Sequence, residues 1–271
     1  MVALDRIRKR NAISAVMWRE IGDVFSVLGR MGDDCRAIIL IGAGTKAFTS
    51  GIDVTDTSFG LGDTAADSSS NHNIDVARRG LRFYPQILEM QKCFTAVEEC
   101  PLPVIAAIQG SCVGAGVDLA SVCDIRICSN TARFSVREVQ IGLAADVGTL
   151  QRFPKVTGND SRVRELCLTG EMFSAGEALR IGFVSRITSS DGLMGDALKL
   201  ANTIAANSPV AVVGTKRSLV YSRDHTVADG LVHVATHNTS ALMTDDIPTA
   251  ISAAIQRKPA KFQKIPKLSK L

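Results

Sequence analysis

The chain has 271 residues, 46% of them apolar and 21% charged, with a formal net charge of +4. That balance excludes a wholly disordered or collagen-like polymer, and the length allows one large or two modest domains. Aromatics make up only 5%, so Ala, Val, Ile and Leu have to build the core. No run reaches 18 uninterrupted apolar residues, since even 104–120 contains Gln109, Ser111 and Asp118, and no membrane span is expected. Arg257, Lys258, Lys261, Lys264, Lys267 and Lys270 crowd the last 16 residues without an acid, leaving the other 255 at −2. The body is therefore not expected to bind nucleic acid, and the basic tail is either a solvated end or a contact for an anionic partner.

In chain order, Val16, Met17, Ile21, Val24, Phe25 and Leu28 recur with helical spacing, with Ser14 as N-cap and Gly29 near the end. Residues 37–41 (A-I-I-L-I) read as a buried strand broken by Gly42-Ala43-Gly44. A short stretch, 47–53, leads into 56–75, rich in Ser, Asp, Gly and Asn and expected to be a mobile functional loop. A helix follows over 76–99, where Pro85 predicts a kink or break. Residues 104–108 form a buried strand, 110–116 a small-residue turn, 117–123 a helix, and 125–128 and 133–136 further strands. Strand, turn, helix, strand predicts an α/β fold with parallel pairing and right-handed crossovers. Beyond Gly148 the pattern turns helical. Ser174-x-x-Glu177 has capping-box spacing, and helices are expected near 191–206, 209–222, 226–242 and 247–256.

Two small-residue turns follow buried strands: Phe48-Thr49-Ser50-Gly51-Ile52-Asp53, and 110–116 leading into the helix of Asp118. Small side chains let a ligand approach the backbone, and a helix start favours negative charge. Each turn alone is equally consistent with tight packing under a neighbour, and neither matches a Walker A or G-x-G-x-x-G loop. Asp118, Glu138 and Asp146 stand in otherwise apolar strings. An isolated buried charge costs several kcal/mol, so each acid is paired (Glu138 with Arg133 or Arg137, for instance), neutral or at work. His233 and His237, one helical turn apart, have no acid or Cys to complete a metal set, and no metal is expected. Seven Cys without a C-x-x-C pair read as reduced packing thiols of an interior compartment. There is no G-x-S-x-G, and three of the four His fall in the helical tail, which argues against a serine hydrolase.

The strings at 9–14 (K-R-N-A-I-S), 39–53, 103–110, 116–126 and 176–184, in this joint order, resemble the enoyl-CoA hydratase/isomerase (crotonase) family over about residues 4–262. The resemblance implies an α/β spiral of ββα repeats over 1–190, then a helical trimerisation region over 191–271, in trimers or dimers of trimers. It implies an oxyanion hole for a thioester from the backbone N–H groups of Ile52 and Ala115; family members usually have Gly at the latter place, and Ala retains the N–H. It also sets an acyl-CoA against Ala47, Ser50, Gly51, Ile52, Asp53, Val54 and Gly114, with Arg10 and Lys261 or Lys264 on the CoA phosphates. Family hydratases carry two Glu 20 positions apart; here the pair is Asp118 and Glu138, with Asp146 as a third acid. That trio within I-G-L-A-A-D-V-G-T-L-Q-R (141–152) is similar to the Δ3,5-Δ2,4-dienoyl-CoA isomerases of fatty-acid β-oxidation. Such chemistry implies Glu138 and Asp146 as the acid/base pair, an ionised Asp118 in support, and no cofactor. A trans-2-enoyl-CoA hydratase, or an RNA-binding protein that kept the fold, is the alternative.

Two readings concern the ends. Ser269-Lys270-Leu271 is the tripeptide read by the peroxisomal import receptor, or by its glycosomal counterpart in a kinetoplastid. The family normally has a longer first strand before K-R-N-A, so the opening strand is expected to be absent or the chain truncated.

Overall fold

The structure is a computed structural model that describes residues 1–59 and 75–266. Most of the loop expected at 56–75, and the final tripeptide, lie outside the described residues. The chain opens with a strand after all: β1 (Val2–Leu4) pairs in parallel with Leu40–Gly42 of β2 (Ile38–Gly42). Three residues suffice because Leu4 is fully enclosed by the core. Helix α1 (Ala15–Leu28) starts where Ser14 Oγ accepts the Met17 N–H and ends at Gly29.

Each following unit steps from one sheet to another. After β2 the chain enters β3 (Ala47–Thr49) and then α2 (Val76–Glu99); next come β4 (Val104–Ile108), β5 (Ser111–Val113) and α3 (Ala115–Ser121). Then follow β6 (Ile125–Ser129), β7 (Arg133–Ser135), α4 (Thr149–Arg152), α5 (Asp160–Thr169), β8 (Phe173–Ser174), α6 (Ala175–Arg180) and β9 (Arg186–Thr188). The first strands pair as a five-stranded parallel sheet, β1-β2-β4-β6-β9, and the second strands as a four-stranded sheet, β3-β5-β7-β8. The expected parallel α/β body is therefore a winding of ββα turns. What reads as one small-residue turn at 110–116 contains β5.

Alternation along the strands divides the core. Ile38, Leu40, Val104, Ala106 and Ile108 join the main core with Trp18, Phe25 and Phe94. Ile39, Ile105, Ala107 and Ile127 face the other way, onto Leu193, Ala197 and Ala201 of α7 (Leu193–Ala205). Both faces of β4 are covered, hence its unbroken apolar run.

Of the kink or break expected at Pro85, the break does not occur: Pro85 lies inside α2 without ending it; residues 76–86 are exposed, so the Leu81 carbonyl that loses its bond sits on a turn open to water. Ser174 Oγ caps α6 through the Glu177 N–H, but the Glu177 carboxylate turns to Arg162 and Arg180, leaving half a capping box. The last helices, α8 (Pro209–Asp224), α9 (Val227–Ala241) and α10 (Asp246–Ile255), follow the expected spans closely. Buried Lys216 ties α8 to the body by donating to Leu102 O at 2.9 Å and pairing with Asp124 at 2.7 Å. Among the described residues no helix is long and apolar enough to cross a membrane.

Candidate active site

The K-R-N-A string acts through its backbone and one amide. Arg10 and Asn11 take left-handed conformations, φ +50° and +56°. Buried Asn11 donates to the carbonyls of Ala43 and Ala47, both at 2.9 Å, and accepts the Arg6 N–H at 3.0 Å. The Arg10 carbonyl accepts the Ser50 N–H at 3.0 Å, and Thr49 Oγ1 donates to Asn11 O at 2.7 Å. Residues 49–53 are thereby pinned to 10–13. Ile13 N–H donates to Gly51 O and Asp53 N–H to Ile13 O, so alternation aims the Ile52 N–H to the opposite side, toward β5.

There the 113–115 turn comes close. At Gly51, φ +94°, an added Cβ would stand 2.8 Å from Val113 O and 3.8 Å from Ala115 N, so only glycine permits the approach. Ala115 is the first residue of α3, and Gly114 N–H is already taken by Ser135 O. Among the described residues, the N–H groups of Ile52 and Ala115 have no hydrogen-bond acceptor.

Both N–H groups border a cavity of about 570 Å³, within the range of small-molecule sites. Ser50, Gly51, Asp53, Val54 and Gly114 also line it, as do Asp118, Glu138 and Asp146. Trp18, Phe59, Ile87, Met90, Leu143 and Val147 give it a largely apolar remainder. Arg10, Ala47, Lys261 and Lys264 do not line it; Lys9 and Arg137 do. Ala47 is buried in β3 and the two tail lysines are exposed. Asp53 is bound up locally: Thr55 Oγ1 donates to it at 2.6 Å and Arg6 lies 2.9 Å away, which lowers its pKa to about 2.

The three remaining acids are different: among the described residues none of them forms an ion pair. Glu138 starts a 3₁₀ turn (Glu138–Ile141) after β7, and its Oε1 faces Gly114 so closely that a Cβ there would lie 3.2 Å away. It forms no ion pair with Arg133 or Arg137 among the described residues, and its Oε2 is buried without a partner. Asp118 is 1% exposed; one oxygen accepts the Thr149 N–H at the start of α4 and the other has no partner. Asp146 stands at the cavity's edge, on a loop held where Gln91 Nε2 donates to its carbonyl at 2.6 Å.

Desolvation raises all three acids. The Asp146 charge raises Glu138 further, and both neighbours raise Asp118, to about 7. This direction runs against the expectation of an ionised Asp118. It is the fourth residue of α3, beyond the free N–H groups of the helix start, and burial outweighs the single Thr149 bond.

Sequence reasoning missed four contributors. Trp18 is not among the positions that mark α1 in the sequence, yet its indole stacks on Phe94 with centroids 4.3 Å apart and faces the cavity. Met90 and Ile87 lie on the helix after the long loop, where only the fold shows which face turns inward. Asn11 could have been found, since a short amide in a basic turn before a helix suits a left-handed position. His233, by contrast, stacks on Tyr221 at 4.0 Å, a packing role.

Comparison with known proteins agrees with this geometry. The model of the enoyl-CoA hydratase/isomerase family matches residues 1–264. The mitochondrial Delta(3,5)-Delta(2,4)-dienoyl-CoA isomerase of Rattus norvegicus is 48% identical, over 96% of this chain and 77% of that protein. The peroxisomal Delta(3,5)-Delta(2,4)-dienoyl-CoA isomerase of Arabidopsis thaliana is 40% identical, over 97% and 91%. Among solved structures, an enoyl-CoA hydratase from Bacillus anthracis superposes with a TM-score of 0.83 at 26% identity, covering 96% of this chain and 93% of that one. With a family match along nearly its whole length and relatives of this identity, the chain belongs to the enoyl-CoA hydratase/isomerase family.

Proposed function

We propose that the protein is an isomerase that moves the two double bonds of a 3,5-dienoyl-CoA to the 2,4 positions. One observation carries this reading: three carboxyl groups that form no ion pair among the described residues border the same cavity as two backbone N–H groups without an acceptor there. A hydratase needs its acids gathered on one water. Here a proton has to leave C2 and another has to reach C6, farther along the chain, which calls for two separated acid/base groups.

The Ile52 and Ala115 N–H groups receive the thioester oxygen and stabilise the charge that develops on it when C2 loses its proton. Glu138 and Asp146 work as the pair, one ionised to accept the C2 proton and the other protonated to supply C6. The electron pair of the C2–H bond enters a conjugated trienolate with its charge on the thioester oxygen; as the carbonyl re-forms, double bonds appear at C2–C3 and C4–C5 and the C5–C6 π pair bonds the proton at C6, so the carboxyl that gave a proton is left charged and its partner neutral. Asp118, held neutral by burial below about pH 7, keeps a second negative charge away from Glu138. Substrate and product are isomers, so the reaction calls for no redox cofactor. On the CoA side Lys9 stands at the cavity wall, with Arg10 and a tail lysine, Lys261 or Lys264, as further cations for the phosphates.

Exposed Leu231, Val232, Met243, Ile251 and Ile255 on and beside α9 and α10 support self-association, as a trimer or a dimer of trimers. Ser269-Lys270-Leu271 and the plant relative named as peroxisomal support import into peroxisomes. The activity is tested by offering purified protein 3,5-dienoyl-CoA and trans-2-enoyl-CoA and following the absorbance of each conjugated thioester. Faster conversion of the diene is expected. Faster hydration of the enoyl-CoA would refute the isomerase reading.

A further inference from the structure

Residues 146–152 carry two groups of the site, Asp146 and the Thr149 N–H that Asp118 accepts. The segment is tied down from outside the cavity. Gln91, Thr95 and Glu98 follow one another on one face of α2, and each holds a part of it. Gln91 Nε2 donates to Asp146 O at 2.6 Å, and Arg152 Nη2 donates to Thr95 Oγ1 at 3.1 Å. Arg152 Nε and Nη2 also donate to the Glu98 carboxylate, at 3.2 and 3.1 Å.

Glu98 is buried and takes a second cation, because Arg223 at the end of α8 donates to its Oε1. Arg223 also reaches Asp224 at 3.0 Å, and Asp224 pairs with Lys155. Arg152, Glu98, Arg223, Asp224 and Lys155 thus alternate in sign along one row, with one positive charge in excess. Burial alone would raise the Glu98 carboxyl, but the two guanidiniums hold it below its usual value, so it is charged.

The Arg152 guanidinium is also close to the site. A Cβ added at Gly148 would run into its Nη1, and Gly148 is one peptide bond from the N–H that Asp118 accepts. Asp118 is faced by Thr149, Glu138, Asp146 and the thiols of Cys112 and Cys167. Asp146 is faced by Glu138 and, at its carbonyl, by Gln91. Lys9 and Arg137 line the cavity without pairing with either acid among the described residues. A guanidinium released toward these acids would favour their anions. We propose that Glu98 is a positioning residue for the reaction: it pins Arg152 to α2, which fixes the segment of Asp146 and Thr149 and keeps the guanidinium charge from Asp118 and Asp146. The proposal rests on the acid/base reading of those carboxyls and adds what lets them keep a proton beside a cation.

The test follows the side-chain carboxyl resonances of Asp118 and Asp146 by NMR across pH, in the full chain carrying isotope-labelled aspartate and assigned with Asp118→Asn and Asp146→Asn. Glu98→Gln keeps the shape of the side chain and removes its charge, so both titration midpoints should fall by about 1 unit or more. Adding Arg152→Gln to Glu98→Gln restores the net charge of the row, and the midpoints should return to the wild-type values. Arg152→Gln alone should move them far less, since Glu98 already answers that charge; this variant decides the matter if Glu98→Gln does not fold. A rise of about 1 unit in Arg152→Gln would mean that the guanidinium already acts on the acids, and would overturn the proposal. Unchanged midpoints in folded Glu98→Gln would overturn it too, as would a fall that the double variant does not reverse, the mark of a merely structural loss. Where the diene is turned over, the alkaline fall of kcat should move to lower pH in Glu98→Gln by the same amount. The resonances need no substrate, so expected midpoints in a protein inactive on the diene would refute only the activity.

Discussion

Replacing Asp118 with Asn tests whether burial keeps this acid neutral. A carboxyl raised to about 7 from its usual 3.8 binds its proton more tightly in the folded chain than in the unfolded one. Between those two values the native state holds the extra proton, so stability is greatest at low pH and falls as pH rises through 7. A shift of that size corresponds to about 4 kcal/mol lost between pH 4 and pH 8; coupling to Glu138 and Asp146 makes about 2 to 4 kcal/mol the range to look for. Asn keeps the oxygen that accepts the Thr149 N–H and places an N–H₂ where the protonated acid has its O–H. At pH 3, below the unfolded value, variant and wild type should therefore unfold at the same urea concentration, and at pH 8 Asp118→Asn should be the more stable. Glu138 and Asp146 are raised in the same direction, but they remain in both proteins and largely cancel in the difference. Parallel pH profiles for the two proteins would mean that Asp118 is ionised when folded, and the argument from burial would be wrong. Its effect on turnover should be smaller than that of either partner acid.

Glu138→Gln and Asp146→Asn should each lower kcat for dienoyl isomerisation by at least ~10², the usual scale of a lost acid or base, with little change in KM; near-normal turnover in Asp146→Asn would end the two-site scheme. Gly114→Ala puts a methyl 3.2 Å from Glu138 Oε1 at φ +53°, so it should cost about 1–3 kcal/mol in stability and lower kcat more than it raises KM in steady-state assays. Joint Lys261→Ala and Lys264→Ala should raise KM for CoA esters with kcat unchanged, the mark of lost uniform binding; an unchanged KM in the assembled protein would remove the tail from the site. Deleting Leu271 alone should abolish import into peroxisomes in cells while activity stays intact, and normal import would refute the address.

The parts of this fold that are plain in the sequence are those where one short segment states its own environment. Residues 104–108 are apolar on every position because β4 is covered on both faces, and Ser14 and Gly29 mark the ends of α1 because capping involves only neighbours. Asp118, Glu138 and Asp146 stand out by the same local logic, as acids in strings with no other reason to hold one. What segment-by-segment reading misses is where such segments meet. Pro85 predicts a broken helix until its solvent-facing position is known, and nothing in the string around Trp18 says that its ring faces the cavity. The contrast over Asp118 has the same origin. Its place near a helix start suggests a stabilised anion, whereas its protonation depends on α4 closing over it from 31 residues away and on two other acids sharing the cavity. A helix dipole is a property of seven consecutive residues; the burial of Asp118 is a property of several segments packed together. Where the two oppose each other, the packed environment decides the charge, and the proton it retains is the one that proton-transfer chemistry near neutral pH requires.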